Sequence, residues 1–170
     1  MKKVTTSRKK SDKSVKIYCD IRKCISCRTC ELACATEHSQ SKDLEKAVFE
    51  APMPKKRVKV SAVEDKSISV HCQHCEDAPC VTACMSGALR KDKKTGATLQ
   101  DKEKCVGCWM CIMSCPFGAI ARDIENHIAL KCDLCPDRDD YACVAACPTG
   151  ALFAGSEKEF KKNIKKREEE

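Results

Sequence analysis

Aromatic residues are scarce in this chain, seven among 170 residues or 4%, which is low for a globular domain. Leaving cysteine aside, roughly a third of the residues are apolar. A chain so short of large apolar side chains is poorly equipped to build a conventional core. No apolar run approaches the roughly 18 residues of a membrane span. Met1 to Lys10 contain no apolar segment that would serve as a signal peptide. No serine–histidine–acid or paired-carboxylate arrangement can be placed from the sequence, so it offers no site for substrate chemistry.

Cysteine is what the chain has in excess, 17 residues. In a secreted protein that number would mean a disulfide scaffold. Without a leader the expected compartment is the reducing cytoplasm, where clustered cysteines mean metal or redox chemistry. Sixteen of them fall into four quartets: Cys24, Cys27, Cys30 and Cys34; Cys72, Cys75, Cys80 and Cys84; Cys105, Cys108, Cys111 and Cys115; Cys132, Cys135, Cys143 and Cys147. The third, with Pro116 after it, has the C-x2-C-x2-C-x3-C-P spacing of the bacterial ferredoxin run. Three thiolates in one tight loop suit one face of an iron–sulfur cluster, and the fourth cysteine of such a run commonly serves a second cluster. Zinc is the rival for the second and fourth quartets, whose paired cysteines also suit a tetrahedral site. It suits the first and third less well, because their middle cysteine is surplus to two pairs. Four [4Fe-4S] clusters are therefore expected, with sixteen cysteines as iron ligands, and Cys19 left over as a buried thiol or a substitute ligand.

The formal charge is +7, which on its face suggests nucleic acid. Sixteen ligated thiolates and four oxidised cubane cores bring it to about −1. The basic surplus offsets the prosthetic groups, and nucleic-acid binding is not expected.

An internal repeat runs through three quartets. Cys84, Cys115 and Cys147 are each followed at the same offset by glycine, alanine and an aliphatic residue: Gly87-Ala88-Leu89, Gly118-Ala119-Ile120 and Gly150-Ala151-Leu152. The glycine is read as a tight turn and the aliphatic residue as cover for a cluster. After Cys34 no proline follows, so a helix should continue there. Residues 40–57 read as a polar loop or insertion. Residues 57–62 and 67–70 alternate as a β-hairpin does, and Thr95-Gly96 marks a turn. Ser156 and Glu159 make a capping box, with Phe160 and Ile164 on one face of a C-terminal helix that either packs on the body or docks another subunit. The expected organisation is a basic tail over 1–16, a four-cluster α+β domain over 17–155 and a helix over 156–170. Within the domain, two nested ferredoxin-like modules are expected, an outer one from 17–57 and 120–155 and an inner one from 58–119. Spacing alone leaves nested and sequential pairing of the quartets both open.

The motif order resembles the four-cluster iron–sulfur subunits of the DMSO reductase, formate dehydrogenase and formate hydrogenlyase type. The details Cys30-Glu31-Leu32-Ala33-Cys34, His74 to Cys80 and Cys115 to Ile120 are most similar to the short branch serving carbon monoxide dehydrogenase. The resemblance implies nested pairing. Cys24, Cys27 and Cys30 would share a cluster with Cys147, and Cys132, Cys135 and Cys143 one with Cys34. Likewise Cys72, Cys75 and Cys80 would go with Cys115, and Cys105, Cys108 and Cys111 with Cys84. Some relatives hold a three-iron cluster after losing a cysteine of the third motif; Cys108 is present, so four cubanes are implied. The role implied is non-catalytic: relaying single electrons between a catalytic redox subunit and another redox protein. Carbon monoxide dehydrogenase is the first candidate for that subunit, then formate dehydrogenase, hydrogenase or aldehyde oxidoreductase. A second ferredoxin-like or hydrogenase subunit and further copies of the chain are the other expected partners. A free polyferredoxin shuttle is the alternative, and a zinc interaction module the remote one.

Two smaller features complete the reading. Met85 stands where relatives often have proline, and is expected to keep the site apolar. Lys23, Lys104 and Lys131 each precede the first cysteine of a quartet, whereas the second quartet has His71. That substitution leads to the expectation that the cluster of Cys72, Cys75 and Cys80 has the most pH-dependent potential.

Overall fold

The computed structural model describes residues 15–168. The regular elements are short. Strands β1 (Lys16–Cys19), β2 (Lys59–Val63), β3 (Lys66–Val70), β4 (Leu89–Lys91), β5 (Thr98–Gln100), β6 (Ile120–Asp123), β7 (Ile128–Lys131) and β8 (Leu152–Gly155) alternate with helices α1 (Thr29–Glu37), α2 (Leu44–Ala47), α3 (Pro79–Thr82), α4 (Met110–Met113), α5 (Ala142–Ala145) and α6 (Glu157–Glu168). The strands form four separate two-stranded antiparallel sheets, β1–β8, β2–β3, β4–β5 and β6–β7. This is the expected α+β class, and both hairpin readings match it.

The glycine repeat marks where the chain turns into three of the strands. Gly87, Gly118 and Gly150 adopt φ of 68°, 58° and 62°, and each donates its N–H to the carbonyl of the cysteine three residues earlier. An L side chain is disfavoured in that region, so glycine serves the turn that carries the chain from the one-turn helices α3, α4 and α5, which end five residues earlier, into β4, β6 and β8. Pro79 starts α3 at a position where its missing N–H costs nothing. Nothing comparable follows Cys34, and α1 runs on to Glu37.

Two small cores result. Val15, Ile17, Cys30, Val60, Tyr141, Cys143, Leu152 and Ala154 make the first. Ala78, Cys80, Leu89, Cys111, Ile120 and Ala129 make the second. Membership differs from the expected module bounds. Val60, expected in the inner module, packs in the first core, while Ile120 and Ala129, expected in the outer one, pack in the second. Val60 of β2 packs with Cys30 and Cys143, and Leu89 and Ile120 pack with Cys80 and Cys111. The expected basic tail lies outside the described residues except at its end, where Val15 is buried and Lys16 pairs with Gly155.

The polar stretch 40–57 is anchored rather than free. Asp43 caps α2 through the Lys46 N–H at 3.1 Å. Glu50 accepts from the backbone of Gln40 and Ser41 at 3.0 and 2.8 Å. Lys55 reaches Asp123 and Glu125 at the β6–β7 turn, at 2.6 and 2.8 Å. At the C-terminus the capping box forms, with Ser156 N and Oγ donating to Glu159 Oε2 at 3.0 and 2.8 Å. Phe160 stacks on Tyr18 with ring centroids 5.0 Å apart and lies 6.1 Å from Phe153. Helix α6 therefore packs on the β1–β8 sheet, the first of the two placements its sequence allows.

Candidate metal centre

None of the 17 cysteines is joined in a disulfide, so the disulfide reading has no support in the structure. Each motif enters from the end of a strand, places two cysteines in a loop and a third on the first turn of a helix. In every loop the residue before the second cysteine is left-handed: Ser26, His74, Gly107 and Leu134 have φ of 58°, 44°, 65° and 64°. Arg28 and Trp109, after the second cysteines of motifs one and three, are left-handed too, at 58° and 63°. Such conformations turn successive backbone N–H groups toward one side and make a concavity suited to an anion. Only Gly107 advertises this in the sequence; the other positions carry residues that rarely sit there.

Gly107 has a second constraint. A Cβ built on it would stand 2.5 Å from the His127 carbonyl oxygen and 3.1 Å from its carbon. Both atoms belong to backbone, so neither can swing aside. Gly107→Ala is expected to destabilise the iron-loaded protein by about 1–3 kcal/mol and to loosen the third motif's loop. Thermal melting with iron analysis checks this, and an unchanged melt would refute it.

The sulfurs have matching surroundings. Arg57 N donates to Cys34 Sγ at 3.3 Å and Leu89 N to Cys84 Sγ at 3.4 Å. Thr29 Oγ1 donates to Cys27 Sγ at 3.4 Å, and Ser69 Oγ lies 3.4 Å from Cys30 Sγ. The Thr29 hydroxyl lowers Cys27 below the usual thiol range. At Cys84 burial works the other way, but the Leu89 N–H and Ser86 hydroxyl outweigh it. Elsewhere burial dominates: it lifts Cys111 and Cys135 to about 11 and Cys132 to about 12, and Cys143 well above its ordinary value.

The cysteines also act on one another. Beyond burial, Cys111 is raised by the charges of Cys105 and Cys108 from its own motif and of Cys84 from the second. Cys80 is raised by Cys72 and Cys75 and by Cys115 of the third. Cys132, Cys135 and Cys143 each lie in the field of Cys34. Cys30 lies in that of Cys147. Three further fields link different motifs: that of Cys30 on Cys143, of Cys72 on Cys132 and of Cys80 on Cys111. Cys27 and Cys108 are exposed, while the other 15 cysteines are buried or half-buried. Cys27 meets Thr29 rather than another thiol.

Among the described residues, no three His, Cys, Asp or Glu side chains converge as one bound ion demands. Thiolates that each take a different iron of a cluster need not converge on one point. Left-handed loops, N–H groups aimed at sulfur and apolar cover from Leu89, Ile120 and Leu152 all fit such a cluster.

Several neighbours of the motifs are not evident in the sequence. Glu31, 6% exposed, accepts from Val60 N at 2.7 Å and pairs with Lys56. Glu37 pairs with Arg138 at 3.0 Å. Asp133 joins Arg57, His38 and Cys135 N. Burial raises Asp133 and these partners lower it more, holding it well below the carboxylate range. These ties bind α1 to the β2 and β7 regions across long stretches of chain.

Other expectations change. His71 is 2% exposed. Its Nδ1 lies 3.0 Å from Ser69 O and its Nε2 has no partner. Burial pushes it down to about 4, so it is neutral between pH 6 and 8 and carries no switch in that range. His74 is buried and its Nδ1 accepts from Thr98 N at 3.0 Å. Met85 is 90% exposed and covers nothing. Cys19 is half-buried, accepts from Ser69 N at 3.4 Å and is pushed up to about 12, chiefly by burial.

Among the described residues, no helix is long and apolar enough to cross a membrane. Residues 63–157 match the family described as the 4Fe-4S dicluster domain. The chain is 39% identical over 153 residues to the electron transport protein HydN of Escherichia coli, covering 81% of this chain and 85% of that one. It is 39% identical over 155 residues to an iron-sulfur protein of Rhodospirillum rubrum, covering 82% and 80%. It is 33% identical over 141 residues to the thiosulfate reductase electron transfer subunit PhsB of Salmonella typhi, covering 80% and 72%.

Proposed function

We propose, from the premise that this chain belongs to the 4Fe-4S dicluster domain family and is an electron-transfer iron–sulfur protein, that it is the relay subunit of an oxidoreductase and holds four [4Fe-4S] clusters. When bound, the clusters supply the one-electron chemistry, and the chain sets spacing, potential and insulation. The proposed ligand sets are nested. Cys24, Cys27, Cys30 and Cys147 make the first, and Cys132, Cys135, Cys143 and Cys34 the second. Cys72, Cys75, Cys80 and Cys115 make the third, and Cys105, Cys108, Cys111 and Cys84 the fourth. The observation that carries this reading is the packing: Cys30, Cys132, Cys143 and Cys147 gather at one core, and Cys75, Cys80, Cys84, Cys105, Cys111 and Cys115 at the other. Sequential pairing would require Cys34 beside Cys80 and Cys115 beside Cys143 instead.

The fields that link different motifs order the sets in a line, from the first through the second and third to the fourth. Each end carries one of the two exposed cysteines, Cys27 and Cys108. Electrons are proposed to enter at one end and leave at the other, with the exposed Ile25 and Met113 near these ends as docking surface. The partner is a catalytic redox subunit. Carbon monoxide dehydrogenase is proposed first, on the motif details of the sequence, followed by formate dehydrogenase, hydrogenase and aldehyde oxidoreductase. A cysteine-rich chain without disulfides favours the cytoplasm.

Anaerobic purification tests the reading. About sixteen irons per chain are expected, with a catalytic subunit retained through purification that reduces the chain when given its substrate. Fewer irons would refute the four-cluster assignment. A monomer exchanging electrons freely with soluble donors would replace the subunit by a shuttle.

A further inference from the structure

Lys131 precedes Cys132 as Lys104 precedes Cys105, yet the two side chains differ completely. Lys104 is exposed and lies 3.5 Å from Asp101. Lys131 is 3% exposed, and its Nζ donates to the carbonyl of Thr98 and, at 2.7 Å, to that of Cys132. Among the described residues no carboxylate pairs with it. The carboxylate whose field reaches this pocket, that of Asp133, acts on His74 but is taken up by Arg57 and His38.

A buried ammonium without an anion is strongly unfavourable, and two carbonyl dipoles do not cancel a full charge. The groups left to balance it are sulfurs. The charge of Lys131 acts on Cys80 and on Cys132, members of two different ligand sets. Lys91 approaches one of these sets from another side. It donates to the carbonyls of His74, Cys75 and Gly96 at 3.1, 2.6 and 2.5 Å and, like Lys131, has no carboxylate partner among the described residues.

We propose that Lys131 is the built-in counter-charge shared by the cysteine sets of Cys72 and Cys132, and that it makes the two middle centres of the relay the easiest to reduce. Lys91 reinforces the Cys72 side. Each electron taken up from a reductant adds one negative charge at the ligand set, and a fixed cation in a low-dielectric pocket favours that state. No bond forms or breaks at the lysine. Electrons that enter at one end then rest in the middle of the line before they leave at the other.

This inference rests on the ligand sets proposed above, and the test separates the two. The iron-loaded protein is titrated anaerobically with dithionite and followed by electron paramagnetic resonance. Ligand variants Cys75→Ser and Cys135→Ser assign the middle signals, and Cys27→Ser and Cys108→Ser the end signals. In Lys131→Met, the reduced-to-oxidised ratio of the middle centres at a fixed potential is expected to fall at least tenfold, about 59 mV for one electron. Lys131→Arg should restore most of the ratio, and Lys104→Met should leave it unchanged. Unaltered middle potentials in a fully iron-loaded Lys131→Met would overturn the proposal. If Lys131→Met does not fold, the native titration still decides, because end centres easier to reduce than the middle ones would overturn it. Cysteine variants that alter signals in other combinations would instead overturn the ligand sets.

Discussion

Iron removed from this protein by an anaerobic chelator is expected to take the fold with it. The sheets are four isolated pairs of strands, and a lone two-stranded hairpin is marginal in water. Helices α3, α4 and α5 have four residues each, far below the length at which a helix holds itself together. The two cores are small, and Cys30 and Cys143 sit in one as Cys80 and Cys111 sit in the other. Without iron these thiols remain as small side chains around the space that a cluster would fill. Structural metal sites contribute on the order of 10 kcal/mol to folding, comparable with the whole net stability of an ordinary domain. The ion pairs of Glu31, Glu37 and Asp133 cannot replace that, because their geometry depends on the loops being in place. Hydrogen exchange gives the clearest measurement. Amides of β4–β5 and β6–β7 should lose protection together on chelation, and the cooperative thermal transition should vanish. Native protection surviving in the iron-free chain would show that the two cores suffice alone.

Local signals were legible where one residue type has one physical meaning. Glycine three places after Cys84, Cys115 and Cys147 announced a turn, and the chain turns there into β4, β6 and β8. Ser156 with Glu159 announced a helix start. Alternation over 57–62 and 67–70 announced β2–β3. The cysteine quartets were legible for the same reason, since little else clusters thiols in this way. What escaped depends on distance in the sequence or on a conformation the residue does not advertise. Ser26, His74 and Leu134 adopt left-handed backbone without being glycine, because the loop they belong to requires it. Val60 and Ile120 crossed the expected module bounds because alternation shows that a hairpin has an apolar face, not which cysteine group that face will cover. Lys104 and Lys131 occupy the same offset from a cysteine, and only the approach of β5 to β7 buries one of them. His71 kept its place beside Cys72 but lost the titration expected of it, because burial keeps the ring uncharged.

Cys115→Ala is expected to damage the second motif's centre before its own. In the sequence Cys115 ends the third motif, next to Pro116, and a local reading would assign its loss to Cys105, Cys108 and Cys111. In the structure its charge acts on Cys80, and Cys111 lies in the fields of both Cys80 and Cys84. The packing of α3 against α4 would let the cysteine that follows each helix serve the other motif. On the nested assignment Cys115→Ala removes one of four ligands from the set of Cys72, Cys75 and Cys80. The variant should bind about twelve irons, or about fifteen if that cluster survives by losing a single iron. The signal of the set containing Cys105 should persist. Cys84→Ala should give the mirror result, sparing the set of Cys72 and damaging that of Cys105. The pair of variants separates nesting from general instability, since a merely destabilised protein would lose both signals in both variants. Loss of the Cys105 signal alone in Cys115→Ala would return that cysteine to its own loop and end the nested reading. If it is instead the Cys72 signal that goes, the relay's inner half is held by two loops that each complete the other, and neither can be loaded fully alone.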